Sequence, residues 1–286
     1  MIKKSPNTEK YKKKQANMLA AAQEYIAGAK IKDVIAKYNV CWASVFNAIK
    51  KHNLQYTKTF GRTIFFNQDY FQNIDTEHKA YWLGFCFADG CISQTDKHIS
   101  QCNRLRIVIS SKDEYLLQQF VNDIELPQGS IKHYTQNGYG TDTLACVNCN
   151  SIKLVDDLLS HGYTVDKKDR NAPVGIPDNL ISHFIRGFFD GDGSVYGNFR
   201  QGSLSFTSCE GVIQYIANTL SEYCNVPRTH IRTYRNAYEV RWGGRQQILR
   251  IANFLYNQAT IFLPRKLNAL CRRCFRNELD YISDSE

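Results

Sequence analysis

Two stretches of the sequence are nearly the same, AYWLGFCFADG at residues 80–90 and HFIRGFFDGDG at residues 183–193. Each is an apolar run that predicts a buried helix, and each closes with Asp-Gly, at Asp89 and at Asp192. Small residues recur four positions apart in both runs, as Gly84 and Ala88 and as Gly187 and Gly191. Residues with this spacing share one helix face, so we expect the two helices to pack closely through it.

This pairing would bring Asp89 and Asp192 together at one end of both helices. The C-terminal end of a helix already carries partial negative charge, and two carboxylates in close contact repel each other. A divalent cation with oxygen ligands would compensate this charge, and paired carboxylates with Mg²⁺ beside a phosphate are typical of nucleases. A single stretch of this kind would equally indicate a buried helix that stops at glycine. Two copies at domain-like spacing favour a duplicated fold with a shared site.

On these two motifs, and over residues 66 to 279, the chain resembles the LAGLIDADG homing endonucleases. The resemblance implies an α/β (α+β) fold of two tandem halves related by a pseudo-twofold axis, each in the order αββαββα. Two curved sheets would form a saddle over DNA. The first acid of the motif is present only as Asp190, and Phe87 takes its place in the first copy. We expect this departure to affect helix packing and termination more than chemistry.

The resemblance also implies which residues serve the reaction. Asp89 and Asp192 would hold the catalytic metal ions, together with Gly90 and Gly193. A lysine from late in each half would assist. Lys266 matches this position well, whereas Lys168, or its neighbour Lys167, matches it less well because the spacing differs. Each lysine could instead be a surface residue at the start of a helix.

The positive charge of the chain is concentrated at its N-terminal end. The chain has 286 residues and a net charge of +9, and residues 1–60 hold twelve lysines against three acidic residues. The remainder is therefore neutral. A basic module on a neutral body indicates that the module contributes affinity for phosphates. No apolar run approaches the roughly 20 residues of a membrane span, and no secretory signal is visible. We expect an intracellular protein that is neither secreted nor bound to membranes.

Residues 1–55 are predicted to form a small all-α helix-turn-helix domain. After a basic first helix, apolar residues recur at helical intervals that are broken at Asn39, a residue that tolerates the left-handed backbone of a tight turn. The segment resembles the DNA-binding domains of resolvases and invertases, in which the second helix of the motif enters the major groove. Its outward residues would be Trp42, Ser44, Asn47 and Lys50. A small helical bundle with a solvated lysine face is the alternative.

A linker is expected at residues 56–72, followed by one half at 73–176 and a second at 177–286. Beyond each motif the patterns predict two strands, a helix, two strands and a helix. Strand residues alternate between faces, and polar residues on one face of each sheet are expected to contact DNA. The candidates are Ser93, Thr95, Lys97, Arg104, Arg106, Tyr196, Asn198, Arg200, Arg232 and Arg241. For each of them an ordinary solvated position is the alternative.

Asp113 and Glu210 are expected to begin equivalent helices in the two halves. They would serve as helix caps or as polar residues beside the active site.

The ten cysteines raise the question of a zinc site, at Cys146 and Cys149 or at Cys271 and Cys274. A structural zinc site needs four converging ligands. The first pair lies in a predicted strand, where residues three apart face opposite sides. Because no secretory signal is visible, disulfides are not expected either, and reduced thiols are the expectation.

The sequence as a whole predicts a monomeric, site-specific endonuclease that cuts both strands of double-stranded DNA. It would use Mg²⁺ or Mn²⁺ and no small-molecule cofactor. Two alternatives remain open at this point. One is a sequence-specific DNA-binding regulator that does not cut, and the other is an RNA maturase that assists intron splicing.

Overall fold

A computed structural model of the protein describes residues 6–27, 29–52, 54, 66–94, 103–135, 143–198, 201–234 and 236–275. The chain divides into two compact units, Met1–Thr63 and Ile64–Glu286. Most of the predicted linker, like Thr95, Lys97 and Arg200, lies outside the described residues. Within the described part of the chain, no helix is long and apolar enough to cross a membrane.

The first unit contains three helices, α1 (Pro6–Ile26), α2 (Ile31–Tyr38) and α3 (Trp42–Lys51). Asn39 ends α2 in the left-handed conformation, with φ 52° and ψ 49°, and its N–H bonds to the Ile35 carbonyl. The Glu24 carboxylate accepts hydrogen bonds from Lys37 and Tyr38, at 2.8 and 2.7 Å, and so connects α1 to α2. The helices enclose a small core of Ala21, Ala22, Tyr25, Val34, Val40, Val45, Ala48 and Ile49.

The second unit repeats one order of elements. Its first half contains α4 (Glu77–Asp89), β1 (Gly90–Gln94), β2 (Asn103–Ser110), α5 (Glu114–Asp123), β3 (Lys132–Thr135), β4 (Thr143–Asn150) and α6 (Ile152–Ser160). Its second half contains α7 (Ile181–Asp192), β5 (Ser194–Tyr196), β6 (Ser203–Ser208), α8 (Glu210–Tyr223), β7 (Arg232–Tyr234), β8 (Ala237–Gly243), α9 (Arg245–Tyr256) and α10 (Pro264–Leu270). Short 3-10 turns occupy Ser111–Asp113, Lys167–Asp169 and Asp178–Leu180, and a π-helical turn Cys271–Phe275 follows α10.

Each half forms one antiparallel four-stranded sheet, and the strand orders correspond: β1-β2-β4-β3 and β5-β6-β8-β7. Leu105, Ile107 and Ile109 are buried against the helices, whereas the alternating Arg104 and Arg106 lie on the opposite face. The sequence pattern predicted this alternation. The mixed α/β fold with two repeated halves is therefore confirmed.

One predicted strand is shorter than expected. β5 ends at Tyr196 because Gly197 follows with φ +79°, a left-handed conformation that turns the chain away from the sheet. Asn198 consequently lies in a turn, where its side-chain oxygen accepts a hydrogen bond from the Gln201 N–H at 3.3 Å. The prediction that Asn198 shares a strand face with Tyr196 was wrong.

The motif helices α4 and α7 pack against each other at the centre of the second unit. A Cβ placed on Gly84 would overlap the Phe184 carbonyl oxygen, and one on Gly187 would overlap the Tyr81 carbonyl oxygen. Further along, a Cβ on Gly191 would overlap the side chain of Ala88. Because contacts move toward higher residue numbers on both helices together, the helices run parallel and end side by side.

A buried charge network joins the two halves at the beginning of α4. Arg186 on α7 is fully buried. Its guanidinium donates to Glu77 Oε1 on α4 at 2.6 Å and to the carbonyls of Leu255 and Ile261 at 2.8 and 2.9 Å. Glu77 Oε1 also accepts from the Thr260 N–H at 2.8 Å. Both charges thus have several partners, which is the condition under which burial of the Arg186 charge is tolerated.

Candidate active site

The parallel helices deliver both motif acids to one place. α4 ends at Asp89 and α7 ends at Asp192, and a strand begins within two residues of each. The Asp89 Oδ2 atom lies 3.1 Å from where a Cβ on Gly191 would stand, so its carboxylate touches the last turn of α7. Close packing of the small residues therefore determines the proximity of the two acids.

The electrostatics of this pair are unfavourable to negative charge. The pKa of Asp89 is raised to about 6, first because surrounding protein displaces water and then because of the charge of Asp192. Lys167, Lys266 and Arg265 act in the opposite direction but do not cancel the effect. Asp89 is nevertheless open to solvent on one side, so ions and solutes can reach it.

A lysine from each half reaches the helix ends. Lys167 Nζ lies 2.6 Å from Asp192 Oδ2 and 2.7 Å from the Ala88 carbonyl oxygen. Lys266 Nζ donates to the Gly193 carbonyl oxygen and lies 5.6 Å from the centre of the Phe189 ring. The pKa of Lys266 is lowered, mainly by burial and then by the adjacent charge of Arg265. Each half therefore places one lysine at the helix ends that carry the acids.

Lys266 is one of the two lysines predicted for the site. In the first half, however, the lysine that reaches the acids is Lys167 and not the predicted Lys168. The 3-10 turn Lys167–Asp169 explains this difference, because adjacent side chains on a tight turn point in different directions. Lys168 contributes its backbone N–H to Asp166 Oδ1 at 3.0 Å. Sequence spacing could not choose between the two residues.

The predicted role of Gly90 as a metal ligand is contradicted by its hydrogen bonds. Its carbonyl oxygen accepts from the Tyr163 hydroxyl at 2.5 Å and from Arg170 Nη2 at 3.0 Å, which uses both lone pairs. The Gly193 carbonyl oxygen accepts from Lys266. The Ala88 carbonyl oxygen accepts a hydrogen bond from Lys167, which also donates to Asp192, so this helix-end oxygen lies near an acid.

Asp190, the acid that is present only in the second motif, lies in the core and not at the helix ends. Asp190 is fully buried and accepts hydrogen bonds from the hydroxyls of Tyr81 and Tyr256, both at 2.9 Å, and from the Leu263 N–H at 2.6 Å. Burial raises the pKa of Asp190 to about 6, although these hydrogen bonds oppose the shift. Asp190 thereby holds the segment that leads into Lys266.

In the first half, the buried Arg170 connects the motif helix to the segment that follows Lys167. Arg170 donates to the carbonyls of Phe87 and Gly90, and its guanidinium lies 4.0 Å from the centre of the Tyr163 ring. The first half thus uses the cation of Arg170 to connect the end of α4 to the segment after α6. The second half uses the Asp190 carboxylate to connect α7 to the segment before α10. Sequence reasoning missed Arg170. The absence of an acid at Phe87 was the signal that another residue must anchor this segment.

A recess of about 210 Å³ opens beside Asp89. Asp113 lines it from the first half and Arg265 lines it from the second. Arg265 Nε donates to Asp113 Oδ2 at 2.8 Å, and the Asp113 side chain does not cap α5. Glu210 begins the corresponding helix α8 and is exposed. A second recess of about 400 Å³ lies beside Asp192 and is lined by Asp166, Lys167, Lys168, Thr207, Ser208, Cys209, Asn236 and Ala237.

The oxygen atoms at the helix ends fit a hard divalent cation. Among the described residues, no cluster of three or more His, Cys, Asp or Glu side chains could hold a metal ion. Mg²⁺ commonly uses only one or two carboxylates and completes its shell with water and substrate phosphates. Asp89, Asp192 and the Ala88 carbonyl supply such a partial shell. The raised pKa of Asp89 reports negative charge that a cation would relieve.

The sheet faces opposite the core carry most of the predicted DNA-contacting residues that are described. On the first sheet, Arg104 Nε donates to Asn150 Oδ1 at 2.8 Å, and Arg106 Nη2 donates to the Tyr134 hydroxyl at 3.0 Å. Ser93 lies opposite Arg104 in the strand register. Asn150 and Tyr134 were not predicted, although the alternation of each strand would have placed them on this face.

On the second sheet, the Arg241 guanidinium lies 4.6 Å from the centre of the Tyr196 ring and 3.0 Å from Glu239 Oε1. Arg232 lies opposite Glu239 in the register and is exposed. The carboxylate of Glu239, which the sequence did not single out, makes this face less uniformly basic than the first.

In the N-terminal unit, α3 presents Trp42, Asn47 and Lys50 to solvent, and Trp42 is 60% exposed. Ser44 is half-buried, and its hydroxyl contacts the Cys41 thiol at 3.0 Å. Three of the four predicted residues thus share an accessible face.

The cysteine pair in β4 is split between the two faces of its sheet. The Cys146 thiol accepts a hydrogen bond from Arg106 Nε at 3.3 Å on the outer face, and Cys149 is buried in the core. The side chain of Cys274 lies outside the described residues.

The chain was compared with known proteins. No curated protein matches the chain. Among solved structures, the LAGLIDADG meganuclease I-AabMI bound to uncleaved DNA shares 13% identity over 66% of this chain and 86% of its own, with a TM-score of 0.46. The I-LtrWI LAGLIDADG homing endonuclease bound to target DNA shares 14% identity over 71% and 88%, with a TM-score of 0.44. LAGLIDADG homing endonuclease I-GzeII in complex with its DNA target shares 15% over 66% and 87%, with a TM-score of 0.44.

A family model gives a direct sequence match. Residues 179–254 match the model described as a LAGLIDADG-like domain. This range contains α7 with its Gly187 and Asp192, the whole second sheet, α8 and most of α9. Over residues 179–254 the chain is therefore similar in sequence to the LAGLIDADG-like domain.

Proposed function

We propose that the protein is a site-specific DNA endonuclease that requires divalent metal ions and cuts both strands. One observation carries the proposal. Two carboxylates, Asp89 and Asp192, converge at the ends of paired helices, and Lys167 and Lys266 reach the same helix ends. The sequence match of residues 179–254 to a LAGLIDADG-like domain supports it.

Asp89, Asp192 and the Ala88 carbonyl would hold Mg²⁺ or Mn²⁺. The bound ion would supply Lewis-acid activation of a water molecule and of the scissile phosphate. Lys167 and Lys266 reach these helix ends from opposite halves, so their ammonium groups can stabilise charge on a phosphate there and orient the attacking water. Lys266 is suited to donating hydrogen bonds in a partly desolvated site, since it is held over the Phe189 ring and at the end of α7.

The two sheets would contact DNA on either side of this centre. Their outer faces carry Arg104 and Arg106 in one half and Arg232 and Arg241 in the other. The halves differ in these residues, so a single chain would read a target whose two sides have different sequences. The helix α3 would add contacts through Trp42, Asn47 and Lys50 in the major groove. We propose that the protein acts as a monomer, because both halves of the centre come from one chain.

The proposal is tested by cleavage of a randomised library of duplex DNA in Mg²⁺, followed by sequencing of the cut sites. With the recovered target, Asp89→Asn and Asp192→Asn should each abolish double-strand cleavage and retain specific binding. The carboxamide keeps the shape of the side chain and loses the charge that holds the ion. Asp156→Asn, at an exposed position of α6, is the matched control and should cut normally.

Normal double-strand cleavage by either motif variant would refute the assignment of these acids. Specific duplex binding by the wild type without any cleavage would indicate a regulator. Preferential binding of structured intron RNA would indicate a maturase.

A further inference from the structure

An ion pair between the two halves lies in the recess beside Asp89. Arg265 is at the start of α10 in the second half, and Asp113 precedes α5 in the first. Asp113 is buried, whereas the side chain of Arg265 is 57% exposed. The bond between them, from Nε to Oδ2, measures 2.8 Å and uses the innermost donor of the guanidinium.

The other donors of Arg265 remain available. Among the described residues, no hydrogen bond engages its Nη1 or Nη2 group, and the side chain lines the same recess of about 210 Å³ as Asp89. A guanidinium fixed through Nε presents its two terminal nitrogens as a planar fork. Such a fork matches two oxygens of a phosphate group. The ion pair therefore holds an anion-binding group beside one of the two acids.

The corresponding position in the first half has the opposite charge. When Lys167 is aligned with Lys266, Asp166 takes the place of Arg265. The Asp166 carboxylate accepts the Lys168 N–H, and it lines the recess beside Asp192. Lys167 and Lys168 also line the recess beside Asp192, so this recess offers ammonium groups next to a carboxylate, whereas the recess beside Asp89 offers a guanidinium held by Asp113. The two recesses therefore present unlike cationic groups to the two strands of DNA.

We propose that Arg265 binds a phosphate of the strand that enters the Asp89 recess, and that Asp113 positions it. Loss of Arg265 would therefore slow cleavage of that strand more than cleavage of the other strand. This inference rests on the proposed function and adds a residue and a strand preference to it.

The first test follows the two strands separately. The full-length protein and Arg265→Gln are compared on the duplex recovered from the cleavage selection, with each strand carrying its own label, under single-turnover conditions in Mg²⁺. The variant should slow one strand about tenfold or more relative to the other, so that nicked duplex accumulates. Arg250→Gln is the matched control, because Arg250 lies on α9 and bonds to the Asn225 carbonyl. It should leave the ratio of the two rates unchanged.

The second test needs no metal and no cleavage. Binding is measured in EDTA to duplexes in which the scissile phosphate of one strand or the other is a neutral methylphosphonate. The wild type should lose affinity more strongly for one of the two duplexes. Arg265→Gln should lose this difference, and Arg250→Gln should keep it.

The role of Asp113 is tested by its conservative variant. Asp113→Asn should slow the same strand as Arg265→Gln but by a smaller factor, because the guanidinium remains and loses only its fixed position. Asp113→Glu keeps the carboxylate, so its ratio of the two strand rates should lie closer to the wild-type ratio than that of Asp113→Asn.

Thermal melts of all variants identify any that do not fold. If Arg265→Gln does not fold, Arg265→Lys takes its place, and its effect should be smaller but confined to the same strand.

Equal slowing of both strands, or equal methylphosphonate effects in the wild type and Arg265→Gln, would overturn the inference while the nuclease assignment stands. A wild type that neither binds nor cuts DNA would refute both the nuclease assignment and the role of Arg265. This second outcome is distinguishable from the first, because it is observed with the wild type alone.

Discussion

At the scale of single residues, Asp89 and Asp190 have the same raised pKa, about 6, in different surroundings. Asp190 is sealed from solvent, and its oxygens are bonded to two tyrosines and a backbone N–H. Asp89 opens to solvent and faces the charge of Asp192. One carboxyl therefore maintains structure, and the other is available to exchange its proton for an ion.

Binding of a divalent cation should weaken as the pH falls through about 6, because a proton then occupies Asp89. Mn²⁺ affinity from calorimetry and the single-turnover cleavage rate should both fall, by up to about tenfold per pH unit below that value. Asp89→Asn should show no such step in its residual Mn²⁺ binding. Affinity that is constant between pH 5 and pH 7 would contradict the role given to Asp89.

The same shift has a consequence for the metal-free protein. A carboxyl whose pKa is higher in the folded state than in the unfolded chain stabilises the fold most below its unfolded value of 3.8, and this contribution is lost as the pH rises to about 6. At pH 7 without metal, Asp89→Asn should therefore be slightly more stable than wild type. The gain should stay below about 1 kcal/mol, since solvent screens an exposed group. Denaturant unfolding in EDTA measures it, and a loss of stability would contradict the raised pKa.

Asp190 should be replaceable by asparagine but not by leucine. Asp190→Leu leaves two tyrosine hydroxyls and the Leu263 N–H without an acceptor in the core, at a cost of about 3 kcal/mol or more. Asp190→Asn retains one acceptor oxygen and removes the buried charge, so its cost should be about 1 kcal/mol. Denaturant unfolding at pH 7 compares the two, and equal losses would show that the hydrogen bonds are unimportant.

At the scale of elements, the parallel pair α4 and α7 depends on two glycines. Gly84→Ala or Gly187→Ala places a methyl group on a backbone carbonyl of the other helix, which no rotation of a side chain can relieve. Each substitution should cost about 1 to 3 kcal/mol or more and separate the two acids. Gly243→Ala at the end of β8 is the matched control, because its Cβ would meet only the Gly202 carbonyl oxygen, at 3.9 Å. Thermal melts measure the losses, and melts of the Gly84 and Gly187 variants equal to that of the control would contradict the close crossing.

The sequence predicted these elements well because periodicity and small-residue spacing are local signals. Leu105, Ile107 and Ile109 alternate as a half-buried strand must, and Asn39 ends its helix as its tolerance of left-handed backbone suggests. The choice between Lys167 and Lys168 depended on a 3-10 turn that has no periodic signal. The pairing of Asp113 with Arg265 joins residues 152 positions apart, and no local pattern relates them.

At the scale of the whole molecule, charge and chemistry are assigned to different parts of the chain. Twelve lysines and three acids lie within residues 1–60, while the remainder, which carries both motif acids, has no net charge. We expect the first unit to supply affinity for phosphates and the second to supply cleavage.

Removal of residues 1–63 should therefore weaken DNA binding and flatten its dependence on salt. The slope of log K against log salt should fall by about 0.9 for each phosphate that the shortened chain no longer neutralises. Cleavage at low salt should persist, and the footprint should shorten at one end of the target. Binding titrations and footprints of the full chain and of residues 64–286 on one duplex provide the comparison. Equal slopes and equal footprints would mean that the first unit does not bind DNA.

The buried charges of α7 limit how the two halves can be recombined. Since Gly84 and Gly187 occupy reciprocal positions, Glu77 corresponds to Leu180 and Tyr81 to Phe184. In a symmetric dimer of the second half alone, Arg186 would meet Leu180 where it now has Glu77, and Asp190 would meet Phe184 where it now has Tyr81. Two charges per subunit would then lack these partners inside the interface, which is strongly destabilising. The duplicated halves are thus no longer interchangeable modules, and a chimaera that joins this second half to a foreign first half must carry Glu77 and Tyr81 with it.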